Sequence, residues 1–269
     1  KMGIAGAAVA TVGGQIFAML FSLALVFGKR SEVRVRLRGF SVDWKIIRDI
    51  YAVGLPSVVM QAIGTVMNLA MNALLIGLTA TAVAVFGVYF KVQSMALMPL
   101  IGVTNAAMSI MAYNYGACNR ARLMRTWKLT IRAGVIMMLL CTAVFELFPR
   151  EILMLFNASD EMLRIGVAAM RIMPLCLPIA AYNISTSVLF QAVGNGMYSM
   201  WMSLIRQLFV LVPAAWVLAR LTSDAAAVWW SFPIAEAVAV AVCIVLFIRT
   251  YHSRIVPLGA QAESAPLPA

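Results

Sequence analysis

The chain has 269 residues, 63% of them hydrophobic and 12% charged, with a formal net charge of +11 and a mean hydropathy of +0.93. Soluble domains carry about a quarter charged residues, and no water-soluble core of ordinary size hides this much apolar surface. A soluble fold is therefore excluded, and the basic excess, which lies between apolar stretches rather than along one stripe, reads as membrane topology and not as a nucleic-acid surface.

A bilayer core of about 30 Å takes about 20 apolar helical residues at 1.5 Å each. Seven such spans are predicted, and the alternating strands of a lipid-facing barrel are absent, so the expected fold is an all-α integral membrane protein. The first span, 3–27, is rich in Gly and Ala, and a basic segment, 28–49, follows it. The second, 50–78, has Gly54 and Pro56 near its entrance; the third covers 80–112 and the fourth 129–148. The fifth, sixth and seventh are placed at 168–193, 197–218 and 225–248. Residues 251–269 are expected to form a disordered cytoplasmic tail. The chain opens on Lys1 and turns apolar at once without a processing site, so a piece of a longer polypeptide with no cleaved leader is expected. Pro56, Pro99, Pro174, Pro178, Pro213 and Pro233 interrupt spans, which neighbouring helices in a membrane tolerate.

Three basic clusters set the orientation. Lys29, Arg30, Arg34, Arg36, Arg38, Lys45 and Arg48 precede the second span; Arg120, Arg122, Arg125 and Lys128 follow the third; Arg249 and Arg254 close the last. All fall on one side if every span crosses once, which predicts seven crossings with a cytoplasmic C-terminus. The opposite loops hold Glu146, Glu151, Asp160, Glu161 and Asp224.

Polar residues at depth are costly in lipid and should face protein or water. Gln61, Thr65, Asn68 and Asn72 recur on one helical face of the second span. Asn183, Ser187 and Gln191, with Tyr182 and Thr186 beside them, form a second stripe in the fifth. Two readings stand: interhelical glue at about 0.6 kcal/mol per hydrogen bond, or the wall of a water-filled substrate and ion pathway. Three charges are intramembrane: Lys91, Arg206 and Glu236. Glu236 is the one deep carboxylate, and it either titrates as a coupling site or balances Lys91 or Arg206. A fixed pair would hold it ionised, which weighs toward the structural partner. Arg171 is expected to snorkel outward.

Cys141, Cys176 and Cys243 lie inside spans and Cys118 in a basic loop, without a CxxC, so they read as small hydrophobes. No metal site is expected, and His252 reads as interfacial. HExxH, Walker A and GxSxG patterns are missing, and Gly194, Asn195 and Gly196 make a turn rather than a phosphate loop. The chain is not expected to be an enzyme.

Several segments carry a resemblance when taken together. They are Gly54-Leu55-Pro56-Ser57, Phe86 through Ser94, Tyr113-Asn114-Tyr115-Gly116-Ala117, Phe190 through Gly196, Leu204-Ile205-Arg206-Gln207, and Trp230 through Glu236. In order and spacing they resemble the second lobe of the multidrug and toxic compound extrusion (MATE) family, over about 45–251. The resemblance implies a twelve-helix exporter of two six-helix lobes. Residues 1–27 would be the last helix of the N-terminal lobe, 28–49 the cytoplasmic interlobe connection, and 50–250 the C-terminal lobe. It implies secondary active efflux of organic, cationic and lipophilic compounds by antiport with protons or sodium, from a cleft between the lobes. The partners are then a small-molecule substrate, the lipid bilayer and the missing N-terminal lobe, in the inner (plasma) membrane, with no cofactor beyond the coupling ion. Some members carry a glutamate in helix seven for ion coupling, but here no acid occurs between Asp49 and Glu146.

Two rivals are weighed. A lipid-linked saccharide flippase of the same superfamily would want a strongly cationic cavity, whereas both stripes are neutral. A retinal-type seven-helix receptor would want a lysine in the last span, and 225–248 has none.

Overall fold

The computed structural model of the protein describes residues 3–27, 43–222 and 224–258, and all regular structure among them is helical. Two compact units, Lys1–Ile50 and Tyr51–Ala269, divide the chain. The first holds α1 (Gly3–Val26), an apolar helix on which Phe17 and Phe21 stack at 6.4 Å, and the opening turns of α2 (Trp44–Ile76). Most of the basic connection lies outside the described residues.

The second unit continues α2 and adds α3 (Ala80–Gly116) and α4 (Arg120–Leu147). A short α5 (Pro149–Met154) follows, then α6 (Asp160–Ile172), a 3-10 turn (Met173–Cys176) and α7 (Leu177–Ala192). The sixth crossing is α8 (Gly196–Leu204), a π turn (Ile205–Leu211) and α9 (Val212–Thr222). The seventh is α10 (Ala225–Val228) and α11 (Ser231–Thr250), running on through a second π turn (Tyr251–Ile255). Among the described residues seven segments are long and apolar enough to cross a membrane, the number expected.

The helices begin where the sequence offers side-chain acceptors to their orphan N–H groups. Thr79 Oγ1 accepts from the Ala82 N–H at 3.1 Å, Asn119 Oδ1 from Arg122 at 3.0 Å and Ser159 Oγ from Met162 at 3.3 Å. These caps carry the helices past the apolar windows, so the fourth crossing starts at Arg120 and the fifth at Asp160 rather than at 129 and 168. Gly194, at φ 80°, makes the turn between α7 and α8, a conformation a Cβ would strain.

Of the prolines expected to interrupt spans, Pro174 and Pro213 mark a change of helical form, whereas α2 and α3 run through Pro56 and Pro99. At Pro174 the helix tightens to a 3-10 turn, and the Pro174 carbonyl, which Pro178 four residues on has no N–H to reach, accepts from the Leu177 N–H and from Thr142 Oγ1 of α4 at 2.9 Å. Pro213 has no N–H to give the carbonyl four residues back, and the preceding turn widens to π. The tail departs from expectation. Ile255 and Leu258 are buried against Trp127, Leu123 and Leu189, so apolar burial holds the helix together beyond 250. The remaining tail, 259–269, lies outside the described residues.

The main core gathers Phe86, Tyr89, Phe145, Trp229 and Phe232, with Phe86 and Trp229 stacked at 6.4 Å. A second cluster stacks Trp127 on Phe247 at 4.5 Å. Helices α3, α4 and α7 meet at Gly134, where an added Cβ would meet Leu100 Cδ1 at 2.8 Å and Ala181 Cβ at 3.5 Å. Small residues at such crossings let membrane helices gain van der Waals contact.

Candidate functional site

The deepest polar arrangement centres on Glu236, which is 7% exposed on α11. Its Oε1 pairs with Arg206 Nη1 from the π turn, and its Oε2 accepts from Asn183 Nδ2 of α7 at 2.7 Å. Both carboxylate oxygens are thus engaged by side chains from two other crossings. Among the described residues this is the one ion pair. The π turn matters here, because its extra backbone width shifts the phase of the helix at Arg206 and Gln207.

Beside the pair lies a cavity of about 160 Å³. Arg206, Glu236, Gln93 and Gln207 supply its polar wall, and Met67, Phe90, Leu97, Leu177 and Phe232 close the remainder. Asn183 Oδ1 and the Tyr89 hydroxyl are buried nearby in the fold without hydrogen-bond partners among the described residues. Gln93 and Gln207 were not singled out as site residues from sequence. Each lies in a segment that carries the family resemblance, but as a single glutamine near a charged residue it forms no polar stripe.

Lys91, read as a deep partner for Glu236, is corrected by the structure. Its side chain is exposed, and its Nζ lies 6.0 Å from the centroid of Phe156, in the turn after α5. A flexible four-carbon stem carries the ammonium along the helix toward the membrane edge. Arg206 is the partner that reaches Glu236.

The two stripes part company. Gln61 and Thr65 are exposed, while Asn68 and Asn72 are half-buried, with Asn68 Nδ2 donating to its own Gly64 carbonyl at 2.9 Å. The packed row of α2 is Ile63, Met67, Met71 and Leu75. At about 100° per residue the four polar residues occupy a sector of about 60° along one flank of that row. Gln61 and Thr65 are therefore not glue within this unit.

The second stripe, expected with the first as a pathway wall, is instead packed inside the unit. Asn183 and Ser187 are buried, and the Ser187 carbonyl accepts from Ser199 Oγ of α8 at 2.7 Å. Gln191 Nε2 reaches the same carbonyl at 3.5 Å, and Tyr182 packs on the Phe190, Met202 and Cys243 cluster. This face of α7 lies toward α8 and α11, which engage the Ser187 carbonyl and the Asn183 amide N–H, while the buried Thr186 Oγ1 has no hydrogen-bond partner among the described residues. Of the second stripe, Asn183 alone joins the Glu236 site.

Crossing helices around a buried, hydrogen-bonded ion pair, with a polar row left open on α2, define a polytopic helical membrane protein. A family model described as MatE matches residues 56–217, and the chain belongs to that family. Among curated relatives it is 21% identical over 248 residues to the multidrug export protein MepA of Staphylococcus saprophyticus, covering 92% of this chain and 54% of that protein. It is 23% identical over 235 residues to MepA of Staphylococcus haemolyticus, covering 87% and 51%. The chain thus spans about half the length of the curated relatives it matches. A multidrug resistance MATE family transporter of the MOP superfamily, solved in an outward-facing conformation, is 28% identical with a TM-score of 0.83, covering 95% of this chain and 57% of that one. A MOP superfamily transporter from Pyrococcus furiosus, described as having a binding pocket of reverse polarity, aligns at 28% identity and a TM-score of 0.84, covering 96% and 57%.

Proposed function

We propose that this chain is the second half of a secondary active exporter that expels organic, cationic and lipophilic compounds in exchange for protons or sodium. In this reading 1–27 is the last helix of the N-terminal lobe, 28–49 the cytoplasmic connection, and 50–250 the C-terminal lobe. The observation that carries it is the open polar row of α2. Gln61 and Thr65 are exposed inside a crossing segment, a placement that lipid penalises and a watered cleft does not. The multidrug export relatives support the substrate class, and the chain's half-length match supports a cleft completed by a preceding lobe.

The Arg206, Glu236 and Asn183 cluster acts in this reading as a brace between the sixth, seventh and fifth crossings rather than as the carrier of the coupled ion. With no acid in α2 beyond Asp49, ion coupling falls to the preceding lobe. The flippase reading loses ground on the same cluster, since the arginine facing the cavity is neutralised by its partner.

The test uses the intact polypeptide containing this chain, reconstituted into vesicles with ethidium and an imposed proton or sodium gradient. Gradient-driven ethidium movement is expected. Leucine at Gln61 and Asn72 together should reduce it about tenfold or more, the loss of two polar contacts at about 1 kcal/mol each, without altering the melting temperature. Ethidium that moves under neither gradient overturns the proposal.

A further inference from the structure

A cavity larger than the one beside Glu236 lies elsewhere in the second unit. It is a groove of about 800 Å³ between α2 and α9. Ala73 and Leu74 form one wall and Val212 and Pro213 the other, while Trp216 and Arg220 stand at the mouth. Every lining side chain is carbon except for the Trp216 indole N–H and Arg220. The guanidinium lies 5.6 Å from the Trp216 ring centroid, and no carboxylate of the described residues pairs with it.

Three features say what fills the groove. From Val212 to Arg220 is eight residues, about 12 Å of helix, close to the hydrocarbon depth of one leaflet, about 15 Å. The groove ends on a cation beside a tryptophan, the pair that membrane proteins place at headgroup level. On α2, Ala73 and Leu74 lie about 100° and 160° round the helix from the centre of the Gln61 and Thr65 row, at 100° per residue. A groove there opens to the bilayer and not to the cleft.

We propose that this groove is a phospholipid site, holding one acyl chain against α2 and α9 with the lipid phosphate paired to Arg220. The phosphate supplies the anion that Arg220 lacks, and a planar guanidinium suits its oxygens. The chain fills a carbon-lined space that water would not. The bilayer-side placement rests on the reading of the α2 polar row as cleft wall.

The intact protein is placed in nanodiscs of dioleoyl phosphatidylglycerol, released, and examined by native mass spectrometry for retained lipid. One retained phospholipid is expected in the wild type. Arg220→Gln should lower its retention about tenfold, the loss of one charge-assisted contact, and Arg220→Lys should recover most of it. Ala73→Phe, which fills the groove at an exposed position, should lower retention to a similar degree. Phospholipid brominated along its acyl chains should quench tryptophan emission, and Trp216→Phe should remove most of that quenching. Absence of retained lipid, retention unchanged in either Arg220→Gln or Ala73→Phe, or release of the lipid by ethidium overturns the proposal. Retention is read without transport, so its loss leaves the efflux reading intact, and a failure of gradient-driven efflux leaves a retained lipid to be counted.

Discussion

Glu236 has one oxygen on a guanidinium and the other on an amide, and each of those partners comes from a different crossing. Glu236→Gln removes the charge and leaves Arg206, whose side chain is 24% exposed, without its counter-ion. The expected cost lies at the lower end of the about 3–5 kcal/mol for breaking a buried pair, seen as a lowered melting temperature with transport damaged in parallel. The double variant Arg206→Met with Glu236→Leu should regain most of that stability, because an apolar replacement of similar volume is near neutral. It should fall short by about 1–3 kcal/mol for the orphaned Asn183 amide. Unchanged melting of Glu236→Gln with abolished gradient-driven efflux would overturn the brace and make Glu236 the coupling group. The sequence singles out Glu236, because a lone carboxylate deep in a span is costly by itself. It leaves Lys91 and Arg206 as equal candidates. Depth along a helix can be counted from its ends, but the direction a side chain takes around the axis depends on the π turn and on which helices are neighbours.

Among elements, α2 and α7 carry similar polar stripes and use them oppositely. On α7 the Ser187 carbonyl and the Asn183 amide are bonded to α8 and α11, and on α2 the leading residues stay open. Thr65→Cys should react with a water-soluble maleimide in membranes, and Val66→Cys, exposed about 100° further round the same helix, should not. Equal labelling at both positions would defeat the cleft-wall reading of α2. Periodicity gave both stripes with correct spacing, but it cannot say whether a polar face meets protein or water, since either satisfies the cost of lipid. The crossing at Gly134 is a second elemental test. Gly134→Leu puts a branched side chain where a Cβ alone already lies 2.8 Å from Leu100 Cδ1, forcing α4 away from α3 and α7. Overpacking of this kind costs about 1–3 kcal/mol, and the melting temperature should drop accordingly. Gly134→Ala should be milder, because the atom it meets is the movable end of a leucine. A Gly134→Leu variant melting with the wild type would mean that the crossing is looser than its geometry.

For the whole molecule, the alternation of the crossings ties every loop to one of two faces. The turn at Asn119 shares its face with the start of α8 and the end of α11, while Ser159 shares the other with the turns at Leu78 and Asp224. Arg120, Arg122, Arg125 and Lys128 stand within the first turns after Asn119, and Arg249 and Arg254 at the end of the last crossing. Positive charges close to span ends resist translocation, whereas acidic residues count for little. The face bearing Asn119 should therefore be cytoplasmic. Both Asn119 and Ser159 are exposed, so each can be probed as a single cysteine in a background with the four native cysteines replaced. Both also cap helices, and losing a cap costs about 1 kcal/mol, an effect that intact expression would bound. In whole cells a membrane-impermeant maleimide should label Ser159→Cys at once. Asn119→Cys should label only after permeabilisation. Labelling of Asn119→Cys from outside intact cells would invert the topology. It would also reverse the face on which the Arg220 groove meets the bilayer, moving its lipid from the outer to the inner leaflet.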